Sequence, residues 1–101
     1  MRGLIFMATV SGIFERHGGI GIHIDGLQYP TRDYSSFKTQ ITYRGVVRSV
    51  RNWSYYSSGN HAYFLDDSST AWHNDDGNPV TVEAWGNING TEFYIGSGNI
   101  F

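Results

Sequence analysis

Three arginines lie close together in the middle of the chain, and aromatic residues follow them directly. The cluster consists of Arg44, Arg48 and Arg51, then Trp53, Tyr55, Tyr56 and Tyr63. Guanidinium groups can follow a phosphate backbone while flat rings stack on unpaired bases, and each stacked base contributes about 1–3 kcal/mol. This combination is typical of a surface for single-stranded nucleic acid. The competing interpretation is that these rings fill the core, since aromatic side chains usually bury themselves.

A second cluster is acidic and lies further along the chain. It contains Asp66, Asp67, Asp75 and Asp76, with Trp72 between the two pairs. Paired carboxylates can chelate calcium, but an EF-hand loop needs an alternating acidic pattern and a distal glutamate. We favour solvated loops with an Asp-Gly turn. Because Trp and Tyr are frequent anchors of protein interfaces, this segment rivals the arginines as the contact surface.

No pattern in the sequence predicts catalysis. The four histidines, His17, His23, His61 and His73, are not spaced as metal ligands on one strand or helix. No serine stands in a strained-turn nucleophile motif, and no nucleophile, base and orienting group can be named together. We therefore expect a protein that is not an enzyme and that holds neither metal nor cofactor.

Composition predicts one all-β domain over residues 1–101. Aromatic residues make up 16% of the chain and there are 13 glycines, whereas strong helix formers are scarce. Aromatic and β-branched residues favour a pleated, half-buried surface, and glycines mark turns and bulges. The absence of cysteine suits a reducing compartment, so we expect a cytoplasmic protein (host cytoplasm if phage-encoded). Residues 1–7 are interpreted as a flexible tail without a membrane anchor, with Met7 as an alternative start.

The charge is unevenly distributed along the chain. All seven Lys and Arg residues lie in the first sixty positions against three carboxylates, whereas the remaining 41 positions hold six carboxylates and neither Lys nor Arg. A basic face and an acidic face would suit self-association or a charged partner. A dedicated nucleic-acid binder is usually basic, and the sequence pI of about 6.0 favours a protein partner over nucleic acid.

Alternation of apolar and polar residues predicts the elements that would position these clusters. Strands are expected over 8–16, 20–24, 41–53, 61–66, 80–85 and 91–95, about six in all. Asn89-Gly90 is the strongest hairpin signal. In the long segment 41–53 the apolar phase shifts, and we expect a bulge between Gly45 and Ser49 that bends the strand. Segment 31–38 is expected to be a single helical turn or a structured loop. The fold class is thus a small antiparallel barrel or sandwich.

The segments GVVRSVRNW, AYFLDDSS and PVTVEAWG, within residues 41–86, together resemble the first three strands of an oligonucleotide-binding (OB) fold. The resemblance implies a curved first strand that pairs with the second and then the third. It also implies a binding face on Arg44, Arg48, Trp53, Tyr63 and Trp85. Two strands precede the long one and one hairpin strand follows it, so the strand order would be altered from that of the family.

These observations lead to a ranking of functions. The first hypothesis is a non-catalytic protein-interaction module, such as a small phage- or mobile-element-type inhibitor or assembly subunit, with a protein partner or self-association. The alternative is an OB-like protein that binds single-stranded nucleic acid through the arginine and aromatic face. A glycan-binding module that uses Trp53, Trp72 and Trp85 as sugar platforms comes third. No membrane partner is expected.

Overall fold

Seven β-strands and one short 3-10 helix make up the part of the chain that the computed structural model describes, namely residues 8–16, 18–54, 59–68 and 78–100. The strands are β1 (Thr9–Phe14), β2 (Ile20–Asp25), β3 (Ser36–Tyr43), β4 (Val46–Trp53), β5 (His61–Asp66), β6 (Val80–Ile88) and β7 (Thr91–Asn99). The 3-10 helix spans Thr31–Asp33. It occupies the irregular segment for which a helical turn or a loop was predicted.

The strands form two antiparallel sheets. Sheet A has the order β1-β2-β5, and sheet B has the order β4-β3-β6-β7. The predicted all-β antiparallel fold is therefore confirmed, and the described strands form a two-sheet arrangement rather than a closed barrel. No helix among the described residues is long and apolar enough to cross a membrane.

The core lies between the two sheets and follows from period-two alternation. Ile20, Ile22 and Ile24 of β2 are fully buried, as their common parity predicts. On sheet B the inward residues of β3 and β6 alternate with half-buried neighbours. The buried apolar side chains of these two strands are Phe37, Ile41, Tyr43, Val80, Val82 and Ala84.

The expectation of one long bent strand over 41–53 is wrong. The chain reverses at Arg44-Gly45, whose φ angles are 54° and 73°, and β3 and β4 pair with each other as a hairpin. Positive φ at both central positions defines the type I′ turn that suits the twist of a hairpin. Arginine seldom adopts this conformation, so the dipeptide did not stand out as a turn signal.

The predicted bulge is present, but it lies in β4 of the hairpin rather than in a continuous strand. The register passes from Thr42 opposite Val47 to Ile41 opposite Ser49, which leaves Arg48 as the extra residue. The change of apolar phase near Val50 thus has two causes, a chain reversal and a bulge. An extra residue increases the local twist and changes the direction of the following side chains.

The strands that carry the OB-fold resemblance are distributed over both sheets. β4 and β6 belong to sheet B, and β5 belongs to sheet A, where it pairs with β2. Since none of these three strands pairs with another of them, the meander implied by the resemblance is not formed.

One side of the sandwich is brought together by β1 and β7. The backbone N–H of Ala8 donates to the carbonyl oxygen of Ile95 (3.2 Å), and Gly12 forms a parallel bridge with Ile100. The backbones approach so closely that a Cβ atom at Gly98 would overlap the carbonyl oxygen of Val10. Only glycine fits this position, and the close approach joins the two sheets along this side.

Candidate interaction surface at the β4 edge

β4 is the edge strand of sheet B and the most exposed strand of the described fold. Within the described residues it pairs on one side only, with β3. Val46, Val47 and Val50 are 50%, 50% and 53% exposed. An edge strand presents unpaired backbone N–H and C=O groups to which another strand can bind, and here the groups lie beside apolar side chains.

The two faces of β4 differ in chemistry. Opposite residues of an antiparallel pair share a face, so the buried positions Phe37, Thr39 and Ile41 of β3 identify the inward side of β4. Trp53, Arg51 and Ser49 are their respective partners. The outward face carries Val47, Val50 and Asn52, opposite Thr42, Gln40 and Lys38. By the same rule Val46, opposite the buried Tyr43, also lies on the inward side. The outward face of β4 thus carries two valines and no charge, whereas its inward face is mixed and includes Arg51.

The three arginines predicted as site residues lie on this one hairpin. The guanidinium carbons of Arg44 and Arg48 are 5.4 Å and 5.6 Å from the centre of the Tyr43 ring, and that of Arg51 is 5.5 Å from the Trp53 ring. A cation at this distance from a ring face is attracted by the ring quadrupole. The structure therefore brings together Arg44, Arg48 and Arg51 along one edge of the molecule.

Asp66 and Asp67 face this edge from β5 and the residues that follow it. Asp66 is fully buried and accepts hydrogen bonds from the Ser49 hydroxyl (2.5 Å) and the Ser68 backbone N–H (3.0 Å). Arg51 forms an ion pair with Asp67 at 2.8 Å. These contacts, which we call the β4–β5 latch, connect the two sheets. Asp66 consequently lies inside the protein rather than on the contact surface for which it was a candidate.

Arg48 differs from Arg51 in its surroundings. Among the described residues no carboxylate lies within ion-pair distance of its guanidinium group, whose ring contact is with Tyr43. Arg48 is exposed and occupies the bulge. It is therefore a cation available to a partner near the hairpin end of the edge.

The Trp53 ring packs inward. It is stacked on Phe64 with ring centres 5.0 Å apart and planes 16° from parallel, and its Nε1–H donates to the Thr39 hydroxyl at 2.9 Å. One ring face and the polar atom are therefore engaged within the protein. For this aromatic residue, the competing interpretation from the sequence, that the ring contributes to the core, describes its surroundings better than a stacking platform does.

Tyr63 lies on the outer face of sheet A, away from the arginines. Its hydroxyl donates to the Glu15 carboxylate at 2.7 Å, and its ring lies 4.8 Å from that of His23. The hydrogen bond to Glu15, with smaller contributions from burial and from the negative charge of Glu15, raises the pKa of Tyr63 above 10.0. A neighbouring pair on this face joins His61 to Asp25.

Trp85 lies on the outer face of sheet B. The ammonium group of Lys38 is 4.5 Å from its ring centre, and Tyr94 meets it edge-on at 5.6 Å. Lys38 also forms an ion pair with Glu92 at 3.1 Å. Trp85 is therefore part of a local cluster and is separated from β4 by β3. The structure does not bring Trp53, Tyr63 and Trp85 together on the single face that the resemblance implied.

The remaining predicted site residues lie outside the described part of the chain: Tyr55, Tyr56, Trp72, Asp75 and Asp76. Sequence reasoning missed Val47 and Val50, because the valines were assigned to a continuous strand. A turn at Arg44-Gly45 would have revealed them as the outward face of a separate strand.

Two further features bear on the chemistry of the described residues. No group of three or more His, Asp or Glu side chains there is arranged to hold a metal ion.

An open cleft of about 820 Å³ lies between the 3-10 helix and the β6–β7 hairpin, with Tyr29, Arg32, Asn89 and Phe93 among its lining residues. It contains none of the predicted site residues.

Fold and surface together define a small two-sheet β protein with an exposed, arginine-bearing edge strand. No protein-family model matches the chain, and neither does any curated protein or any solved structure.

Proposed function

We propose that the protein is a non-catalytic protein-interaction module that binds an extended segment of a partner protein along β4. The observation that carries this proposal is the exposed edge of β4, with three valines that are each about half exposed. Strand addition to a sheet edge is a recurring mode of peptide recognition, in which main-chain hydrogen bonds provide affinity and side-chain contacts provide specificity. A small inhibitor or assembly subunit would use such an edge.

Backbone geometry indicates which residues would bind the added strand. A β-turn closes on a hydrogen bond between its first and last residues, so Tyr43 and Val46 direct their backbone groups toward each other across the hairpin. Hydrogen-bonded and non-hydrogen-bonded pairs alternate along an antiparallel ladder. On β3, therefore, Thr42 and Gln40 direct their backbone groups toward β6. We expect their β4 partners, Val47 and Val50, to direct theirs toward the free edge.

Burial of the exposed valines would contribute appreciably to the free energy of binding. Full burial of a valine side chain stabilises by about 1.5 kcal/mol or more. Because Val46, Val47 and Val50 are each about half exposed, covering them would contribute about 1 kcal/mol apiece. Each main-chain hydrogen bond would add roughly 0.5–1.5 kcal/mol. Several such bonds with the valine contacts would offset part of the cost of association, which is at least about 4 kcal/mol.

Binding of single-stranded nucleic acid is the second candidate, because Arg44, Arg48 and Arg51 lie along one edge. The aromatic half of such a site has less support. Trp53 is stacked on Phe64, and the predicted rings at Tyr63 and Trp85 lie on other faces. The sequence pI of about 6.0 also favours a protein partner.

The test is a substitution that removes an edge donor and leaves the hairpin ladder intact. Val50→Pro deletes an N–H that we expect to face the free edge, a position that tolerates proline. Val50→Thr is the matched control, since it keeps both the N–H and the β-branched shape. Peptides selected from a displayed random library against the unmodified protein should bind the Thr variant and lose at least tenfold in affinity for the Pro variant.

Two results would contradict the proposal. One is a selected set of peptides that binds the Pro variant as tightly as the unmodified protein, provided that circular dichroism shows both to be folded. The other is tight binding of labelled oligo-dT, measured by fluorescence anisotropy, that weakens steeply between 50 and 200 mM salt, as counterion release requires. That outcome would favour the second candidate.

A further inference from the structure

The cations of β4 are not distributed symmetrically over its two faces. Arg51 projects from the inward face, and the guanidinium group of Arg48 lies beside the ring of Tyr43, an inward residue of β3. Val47 and Val50 occupy the outward face. A strand added to this edge would therefore meet valines along one of its own faces and guanidinium groups along the other, since its side chains also alternate.

A second copy of the chain is a poor occupant of this edge. β4 carries two arginines and no carboxylate, so a two-fold antiparallel pairing of β4 with β4 would place four guanidinium groups on two neighbouring strands. When the two-fold axis passes through Arg51, the two copies of that residue lie directly opposite each other. Like charges directly opposite each other on neighbouring strands are destabilising. The same arginines that oppose self-pairing would attract carboxylates.

We infer that the occupant of the β4 edge is an extended segment of a different protein in which acidic residues alternate with apolar ones. This inference rests on the proposed function and specifies its partner. The apolar residues of the segment contact Val47 and Val50. Its carboxylates recur about every 6.8 Å along one face and lie within reach of Arg48 and Arg51. Arg48 is the principal determinant, because Arg51 already forms an ion pair with Asp67.

Three synthetic eight-residue peptides test this inference by isothermal titration calorimetry. Each alternates valine with one other residue, which is glutamate, threonine or lysine, and each carries the same short polyethylene glycol tail for solubility. The glutamate peptide should bind the unmodified protein at least fivefold more tightly than the threonine peptide, and the lysine peptide should bind most weakly. Arg48→Glu should reverse the preference, so that the lysine peptide binds more tightly than the glutamate peptide.

The Val50→Pro variant separates failure of this inference from failure of the proposed function. If all three peptides bind the unmodified protein equally and lose affinity for the Pro variant, strand addition stands and the acidic preference is overturned. If none of the peptides binds in a manner sensitive to Val50→Pro, the proposed function itself is overturned. A stable dimer of the unmodified protein that is abolished by the Pro variant, measured by light scattering, would overturn the inference in favour of a second copy.

Discussion

The β4–β5 latch should stabilise the fold through one hydrogen bond to a buried carboxylate in particular. Asp66 is completely buried, and the Ser49 hydroxyl donates to it at 2.5 Å from the facing sheet. The perturbation is a double-mutant cycle with Asp66→Ala and Ser49→Ala. Asp67→Ala serves as the control, since that carboxylate is 76% exposed and its ion pair with Arg51 lies at the surface.

The magnitude follows from burial and from the number of bonds lost. A hydrogen bond to a charged group contributes about 1.5–3 kcal/mol, and a neutral one about 1 kcal/mol. Asp66→Ala removes the bond from Ser49 and the bond from the Ser68 N–H, so the free energy of unfolding should fall by about 3 kcal/mol. Ser49→Ala should lower it by about 2 kcal/mol. The exposed pair lost in Asp67→Ala contributes less than about 1 kcal/mol.

Urea denaturation, followed by tryptophan fluorescence, measures the free energies of unfolding of the four proteins of the cycle and of the Asp67→Ala control. Urea avoids the screening that a salt denaturant would introduce. The losses of unfolding free energy in the two single variants should add up to roughly 1.5 kcal/mol or more above the loss in the double variant. The reason is that each single variant removes the Ser49–Asp66 hydrogen bond, whereas the double variant removes it only once. Asp66→Ala should also lower the melting temperature by about 12–24 °C. A coupling energy below about 0.5 kcal/mol, with Asp66→Ala no worse than Asp67→Ala, would refute the latch.

Three further predictions concern other parts of the fold. The pKa of Tyr63 is raised above 10.0 chiefly by its bond to Glu15, so Glu15→Gln should lower that pKa in an ultraviolet titration. Because the neutral phenol is favoured in the folded state, this contribution to stability is present below pH 10 and is lost as the pH rises through the raised pKa; an unchanged titration would contradict it. Gly98→Ala should destabilise by about 3 kcal/mol or prevent folding, since its Cβ would overlap backbone, whereas Gly45→Asn has open space and a turn conformation that asparagine tolerates, so equal losses would refute the close approach. Trp53→Phe should lower the free energy of unfolding by about 1–2 kcal/mol through loss of a hydrogen bond and of contact area, and a neutral result in urea denaturation would show that the ring does not pack inward.

Local sequence patterns predicted most of the strands. The three isoleucines of β2 share one parity and are fully buried. Asn89-Gly90 forms a turn with φ angles of 52° and 88°, and β6 and β7 pair on either side of it. Both signals act over a few residues and depend on the period of a strand or the sterics of a turn. They require no knowledge of what the strand packs against.

The site residues depended on contacts that are distant in sequence. Asp66 and Asp67 looked like a solvated acidic loop, because the sequence does not show that Ser49 and Arg51, 17 and 16 positions earlier, would lie beside them. The sequence pattern places Val47 in a continuous strand over 41–53. The reversal at Arg44-Gly45 placed it on the outward face of an edge strand instead. One missed turn therefore changed which residues were candidates for the contact surface.

The features that protect β4 from indiscriminate pairing also define what it would accept. Charged residues and bulges are common means of keeping an exposed edge from aggregating, and Arg48 provides both near the hairpin end of this strand. A bulge and a cation do not abolish pairing with β4; they restrict which strands can pair with it. A strand that brings positive charge is repelled, a neutral strand gains little beyond the main-chain bonds, and an acidic strand satisfies a guanidinium group that has no carboxylate partner among the described residues.

If the arginine served only to protect the edge, Arg48→Ala should make binding less selective and no weaker for the acidic peptide. If it also recognises the partner, the same substitution should weaken binding of the acidic peptide while leaving the threonine peptide unaffected.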